Sequence, residues 1–304
     1  MERREFLKVF SGGVLLMSSS LPLAASKGTE GKTLRIGVIA DSHYADIDTK
    51  GSRFYRDSLS KLQEAVECFN REDLDFIIEL GDMKDVAPGK DAALTLEYLD
   101  KAERCFSSFD GPVYHVLGNH DMDCISKEEF LMHTKNFGKA AGKSYYGFTM
   151  KGVRFLVLDA NYNADMSDYC RGNFNWKSAW IPPQEKEWLK KELKANRKKP
   201  VVIFSHQLLD DFSDVRPQVC VGNAAEIREI IDAHPNVLAV FQGHHHPGHY
   251  SWKNGTHYLT FQGMIENAFP EHNSYAVVEI KPDGNIIVEG YKDCPDRILP
   301  VGSE

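Results

Sequence analysis

Six short apolar runs, rich in β-branched residues, recur along the chain at residues 34–40, 76–80, 113–117, 153–158, 201–204 and 237–241. Each has the length of a strand buried on both faces, and most end in a polar cluster containing Asp, His, Gly or Asn. Amphipathic stretches at 55–70, 91–109, 127–137, 183–196 and 223–233 lie between them. In the first of these, Leu59, Leu62, Val66 and Phe69 fall on one helical face. Pro183 suits the first turn of its helix, with Glu185 and Glu187 at the positive end of the dipole. Strands alternating with helices predict an α/β fold with a largely parallel sheet.

The C-terminal part reads differently. Runs at 257–261, 275–280 and 286–291 have no helix between them, and Pro282-Asp283-Gly284-Asn285 is a hairpin turn. A second, antiparallel-rich sheet packed on the first is the expectation. Residues 161–181 form a long stretch without period that carries Tyr162, Tyr169, Trp176 and Trp180. Loops this long in compact domains are often functional, so it is a candidate wall of a substrate site. Trp188, on a helix, is read as core. No repeat or linker divides the chain, so residues 32–304 are expected to form one domain.

Residues 1–25 stand apart. A charged start, a weakly apolar stretch broken by Gly12-Gly13 and Ser18-Ser19-Ser20, and Ala24-Ala25 make an export-signal pattern. The run Arg3-Arg4-x-Phe6-Leu7-Lys8 resembles a twin-arginine signal, which predicts a periplasmic or extracellular location. The whole chain has 36 Lys+Arg, 44 Asp+Glu and a net charge of −8. Removing residues 1–25 takes away three basic and two acidic groups and leaves −9. That balance argues against a surface for nucleic acid or anionic membrane, and no later stretch is apolar enough to span a bilayer. Six cysteines, at 68, 105, 124, 170, 220 and 294, allow up to three disulfides or a set of buried thiols.

The chemistry sits where five strands stop. The clusters are Asp41-Ser42-His43, Gly81-Asp82, Gly118-Asn119-His120-Asp121, Ser205-His206 and Gly243-His244-His245-His246. Loops at the carboxyl ends of parallel strands share one crevice, so these groups are expected to converge there. Asp, Asn and His offer the oxygen and nitrogen donors that hold divalent metals. A closed structural zinc cage is disfavoured, because such cages are usually rich in cysteine and none lies in the clusters.

The full order D-x-H, G-D, G-N-H-D, H, G-H-x-H resembles the calcineurin-like metallophosphoesterases, from about residue 34 to 291. The resemblance implies a four-layer α/β/β/α sandwich and two divalent ions. Mixed Asp, Asn and His ligands suit Mn, Fe, Zn or Co, and loading in the cytoplasm before export of the folded chain favours Mn or Fe. Asp41, His43, Asp82 and His246 would hold one ion, while Asp82, Asn119, His206 and His244 would hold the other. His120 would protonate the leaving oxygen or stabilise the transition state, with Asp121 orienting its ring. The expected reaction is in-line attack on a phosphodiester or pyrophosphate by a hydroxide bridging the metals. A phosphomonoesterase is the alternative, and a metal-binding module without catalysis a further one.

Two segments, Gly37 to Asp46 with Phe54 to Leu59, and Gly255 to Glu266 with Tyr275 to Glu279, are similar to the manganese-dependent ADP-ribose/CDP-alcohol diphosphatases. His43 departs from the Gln common there. Tyr44 and Phe54 flank the first motif and are candidates to stack on a base or sugar of a small phosphate-containing substrate.

Overall fold

The computed structural model describes residues 32–173, 175–212 and 217–302; the export-signal segment lies outside them. Two six-stranded sheets face each other. In spatial order the first is β12 (Arg297–Leu299), β11 (Ile286–Lys292), β10 (Ser274–Ile280), β1 (Leu34–Ile39), β2 (Phe76–Glu79) and β3 (Val113–His115). The second is β4 (Tyr146–Met150), β5 (Val153–Val157), β6 (Val201–Ser205), β7 (Val237–Gln242), β9 (Thr256–Thr260) and β8 (His249–Lys253). Strands β1-β2-β3 and β5-β6-β7-β9 run parallel. The expectation of a separate C-terminal sheet is corrected. β10 pairs antiparallel with β1, from Leu34↔Ile280 to Val38↔Ala276, so β10–β12 extend the first sheet. β9 instead joins β7 in the second sheet. The physical reason is that β1 is buried on both faces and needs a hydrogen-bonding neighbour on each edge.

Side-chain alternation divides the core into three layers. Ile36, Val38, Phe76 and Ile78 point between the sheets and meet Phe155, Val202, Phe204 and Phe241. The outer face of the first sheet, including Ile77, packs on α1 (Ser58–Arg71) and α2 (Ala92–Phe106) through Leu62, Phe69, Leu99 and Phe106. Ile203 and Val240, on the outer face of the second, pack on α4 (Pro183–Ala195) and α5 (Ala224–Asp232) through Leu189, Leu193, Ile227 and Ile231. This is the α/β/β/α sandwich. Both faces of each sheet are covered, which is why the parallel strands read as nearly unbroken apolar runs.

Helix starts follow local chemistry. The Asp91 side chain accepts from Leu94 N at 3.1 Å and begins α2. Ser126 and Glu129 form a reciprocal capping box at the start of α3 (Lys127–His133). That helix is shorter than the predicted 127–137, because Thr134 is extended and its hydroxyl turns back to Phe130 O. All six cysteines are free thiols.

Candidate metal centre

Strands β1, β2 and β3 of one sheet and β6 and β7 of the other end on the same edge of the sandwich, and their loops meet there. Asp41, His43, Asp82 and His244 have positive φ, at 54°, 45°, 60° and 66°. This left-handed backbone is uncommon for residues with a Cβ and is stable only where the surroundings enforce it. Here they do. Asp41 N donates to Gly81 O at 3.0 Å, His43 N to Asp82 O at 2.8 Å, and His244 N to the Asp41 carboxylate at 3.0 Å. Two glycines permit the approach. A Cβ on Gly118 would overlap the Asp82 backbone and carboxylate, and one on Gly81 (φ 98°) would overlap the His206 ring.

The donor atoms lie close together. His43 Nε2 is 3.2 Å from His246 Nε2, and His246 Nε2 is 3.5 Å from Asp41 Oδ1. On the other side, His206 Nε2 is 3.2 Å from Asp82 Oδ2 and 3.1 Å from Asn119 Oδ1. Asp82 Oδ2 also lies 3.5 Å from His43 Nε2, so one carboxylate faces both groups. His244 joins the Asp82–His206 group. The far ring nitrogens face oxygens: His206 Nδ1 meets Leu80 O at 2.8 Å, His246 Nδ1 meets Glu266 at 2.6 Å, and His43 Nδ1 meets Asp85 at 3.4 Å. An Nδ1–H directed at each oxygen leaves an Nε2 lone pair toward the centre, as in metal-binding histidines.

The arrangement fits cations. Two buried imidazole nitrogens at 3.2 Å with lone pairs facing each other repel unless a positive charge lies nearby. Among the described residues, His244 Nε2 is buried without a hydrogen-bond partner. Burial would lower His206, but the Asp82 carboxylate overrides it and raises the imidazole to about 9. Asp82 itself is driven well below the carboxylate range: burial opposes this, and His206, His120 and His43 outweigh it. Burial and the neighbouring His206 lower His244 to about 3.

His120 sits at the mouth, with Asp85 Oδ1 and Asp123 Oδ2 each 3.6 Å from its Nδ1. Burial alone would lower this imidazole, but Asp82, Asp123 and Asp85 raise it well above the histidine range. The expectation that Asp121 orients the ring is corrected. The Asp121 carboxylate accepts from the backbone N–H of Asp82 (3.0 Å), Met83 (3.0 Å) and Gly118 (2.8 Å), fastening the β2 and β3 loops together. Burial, then the Asp82 charge, raises Asp121 to about 6. Neither Asp85 nor Asp123 was singled out by the sequence as a partner of His120.

Tyr44 is also corrected as a stacking candidate: it is buried in the core with its ring edge-on to Tyr98 at 5.7 Å. Phe54 is half-buried, and its backbone N donates to Ile265 O. The large aromatic that lines the donor cleft, of about 590 Å³, is Trp176 from the 161–181 stretch, 6.4 Å from the His244 ring. Arg53 lines it too; its position in the sequence did not single it out. His245, left out of the donor set, packs edge-on to Phe212, and His115 is buried against Glu103 at 2.8 Å.

The model of the calcineurin-like phosphoesterase family matches residues 34–248. The chain belongs to that family. It is a metal-dependent phosphoester hydrolase. The chain is similar to proteins named manganese-dependent ADP-ribose/CDP-alcohol diphosphatase from Oryza sativa subsp. japonica and Homo sapiens. It is 28% identical to the rice protein, over 91% of this chain and 94% of the relative. It is 27% identical to the human one, over 91% and 95%. A crystal structure of a dimetal phosphatase from Danio rerio has the same fold, with a TM-score of 0.78 at 21% identity over 88% of this chain and 99% of that one.

Proposed function

We propose that the chain is a dinuclear, manganese-loaded diphosphatase that cleaves the pyrophosphate of a nucleoside diphosphate linked to a sugar or small alcohol. The observation that carries the dinuclear reading is the position of Asp82, one carboxylate between two histidine groups, which is what a shared ligand requires. Asp41, His43, Asp82 and His246 would hold one ion; Asp82, Asn119, His206 and His244 would hold the other. Oxygen and imidazole donors without thiolate suit Mn²⁺, and the names of the similar proteins favour manganese and a diphosphate. When bound, the ions lower the pKa of water and neutralise phosphoryl charge.

The chain's own groups do the rest. His120 gives a proton to the leaving oxygen, and the carboxylates at its Nδ1 side favour the protonated ring that this requires. Arg53 adds a cation to the cleft wall, suited to the second phosphate, and Trp176 offers an apolar face to the organic part of the substrate. A chain of net charge −8 thereby presents one locally cationic cleft to an anion.

The test is hydrolysis by metal-stripped protein given Mn²⁺, on ADP-ribose, a CDP-alcohol, bis-p-nitrophenyl phosphate and p-nitrophenyl phosphate, with bound manganese counted. Preference for the diphosphates and two ions per chain is expected. Preference for the monoester would replace the reading with a phosphomonoesterase, and silence on all four with metal bound would leave a binding module. We further propose export through residues 1–25, on the strength of Arg3-Arg4-x-Phe6-Leu7-Lys8. Arg3→Lys with Arg4→Lys should hold the protein in the cytoplasm; unchanged fractionation would overturn it.

A further inference from the structure

Lys84 is a fully buried lysine two residues past Asp82. Its ammonium donates to Asp123 Oδ1 and to the main-chain carbonyl of His120, both at 2.5 Å. The other Asp123 oxygen lies 3.6 Å from His120 Nδ1. The three contacts close a ring that begins at the backbone of His120 and ends at its side chain. We infer that the buried Lys84–Asp123 pair is a positioning device, which fixes His120 at both ends so that its ring meets the leaving oxygen.

Two observations favour this over a purely structural role. Asp85, the other carboxylate at His120, is shared: its second oxygen faces His43 at 3.4 Å. A carboxylate serving two rings is a poor sole guide for either, whereas among the described residues Asp123 faces the His120 ring alone. Stability is also a weak reason to keep such a pair. Removing two charges from water costs about as much as their attraction returns, and apolar residues of similar volume often serve the fold equally well.

The inference rests on the reading that His120 protonates the leaving group. In that step phosphorus gains an oxygen from water, which releases a proton to solvent. The bond from phosphorus to the leaving oxygen breaks with its electron pair on that oxygen, which takes the proton of His120, and His120 is reprotonated from solvent. A misplaced acid therefore harms poor leaving groups most.

The test compares two aryl phosphodiesters with the same retained group, one losing p-nitrophenol and one losing phenol, in the manganese-loaded enzyme. Replacing the pair with Lys84→Met and Asp123→Leu should lower kcat on the phenyl ester by about 10- to 100-fold, the usual cost of a misplaced group. The p-nitrophenyl ester should fall by clearly less, bound manganese should be unchanged, and the same replacement in a His120→Ala background should add nothing. Equal losses on both esters, no loss on either, or a further loss without His120 would overturn the inference. Asp123→Asn keeps the shape and gives the same ratio should the double variant fail to fold. Because the esters are not diphosphates, failure here leaves the diphosphatase reading standing, and an enzyme silent on ADP-ribose but active on these esters can still be tested.

Discussion

The floor and the wall of the cleft are tied down in different ways. The floor is set by backbone: strand ends from two sheets, four left-handed residues, and main-chain hydrogen bonds that hold the loops in place. The wall, within residues 161–181, closes on itself through main-chain bonds such as Tyr169 N to Asn161 O and Trp180 N to Ala160 O, and side chains tie it to its neighbours. Lys127 reaches both Asp159 and Asp168 at 2.7 Å and lies 3.4 Å above the Tyr162 ring. Asn161 Nδ2 donates to Leu117 O at 2.7 Å. Trp176 remains 36% exposed. A floor bonded across several strand ends fixes its donor positions, while a wall that closes largely on itself can vary without disturbing them. In the proposed reaction, chemistry belongs to the floor and selection to the wall.

The largest effect that could break this division is at Asp82. Asp82→Ala should abolish nearly all hydrolysis and reduce bound manganese at both positions, measured by metal analysis beside activity. Loss of a single ion would mean that Asp82 is not shared. Next, His120→Ala should keep manganese and lower kcat by roughly 10²–10⁴, the usual contribution of a general acid; an unchanged rate would take His120 out of the chemistry. Smaller again, Trp176→Ala should raise KM for ADP-ribose by about 2- to 10-fold, consistent with one aromatic contact. Its kcat on p-nitrophenyl phosphate should not move. A matching fall in kcat would place the wall in the chemistry.

The smallest effect concerns the protein without metal. His206 is raised to about 9 by its place beside Asp82, against an unfolded value near 6.5. A raised histidine stabilises fully below its unfolded pKa, and that contribution disappears as pH rises through the folded one. Thermal melts of the stripped protein should therefore show Tm falling between about pH 6.5 and 9. Manganese should flatten that fall, because a cation replaces the proton on His206.

The floor was legible in the sequence because its residues repeat one context, a polar cluster after an apolar run, and the structure brings Asp41, His43, Asp82, Asn119, His206, His244 and His246 together. What failed was direction. Asp121 was expected on the His120 ring from its place in the G-N-H-D motif. A one-residue step in the short helical turn at His120–Met122 instead carries its carboxylate toward the backbone of the neighbouring loop. The same limit hid Asp123 and Lys84, whose relation to His120 is made by loop crossing. Strands β4, β8 and β12 escaped because they are edge strands: half-exposed and short of β-branched residues, they lack the periodic signal of the central ones. The wall was recognised only by its length and its aromatics. No local rule says which of Tyr162, Tyr169, Trp176 and Trp180 faces the cleft.

The six free thiols have a consequence for the life of the molecule. With no cross-link in the fold, nothing in its assembly waits for an oxidant, and the sandwich can be completed and charged with metal where reductants and manganese are supplied together. Under the proposed export, passage into an oxidising space would be a change of address and not a step of maturation.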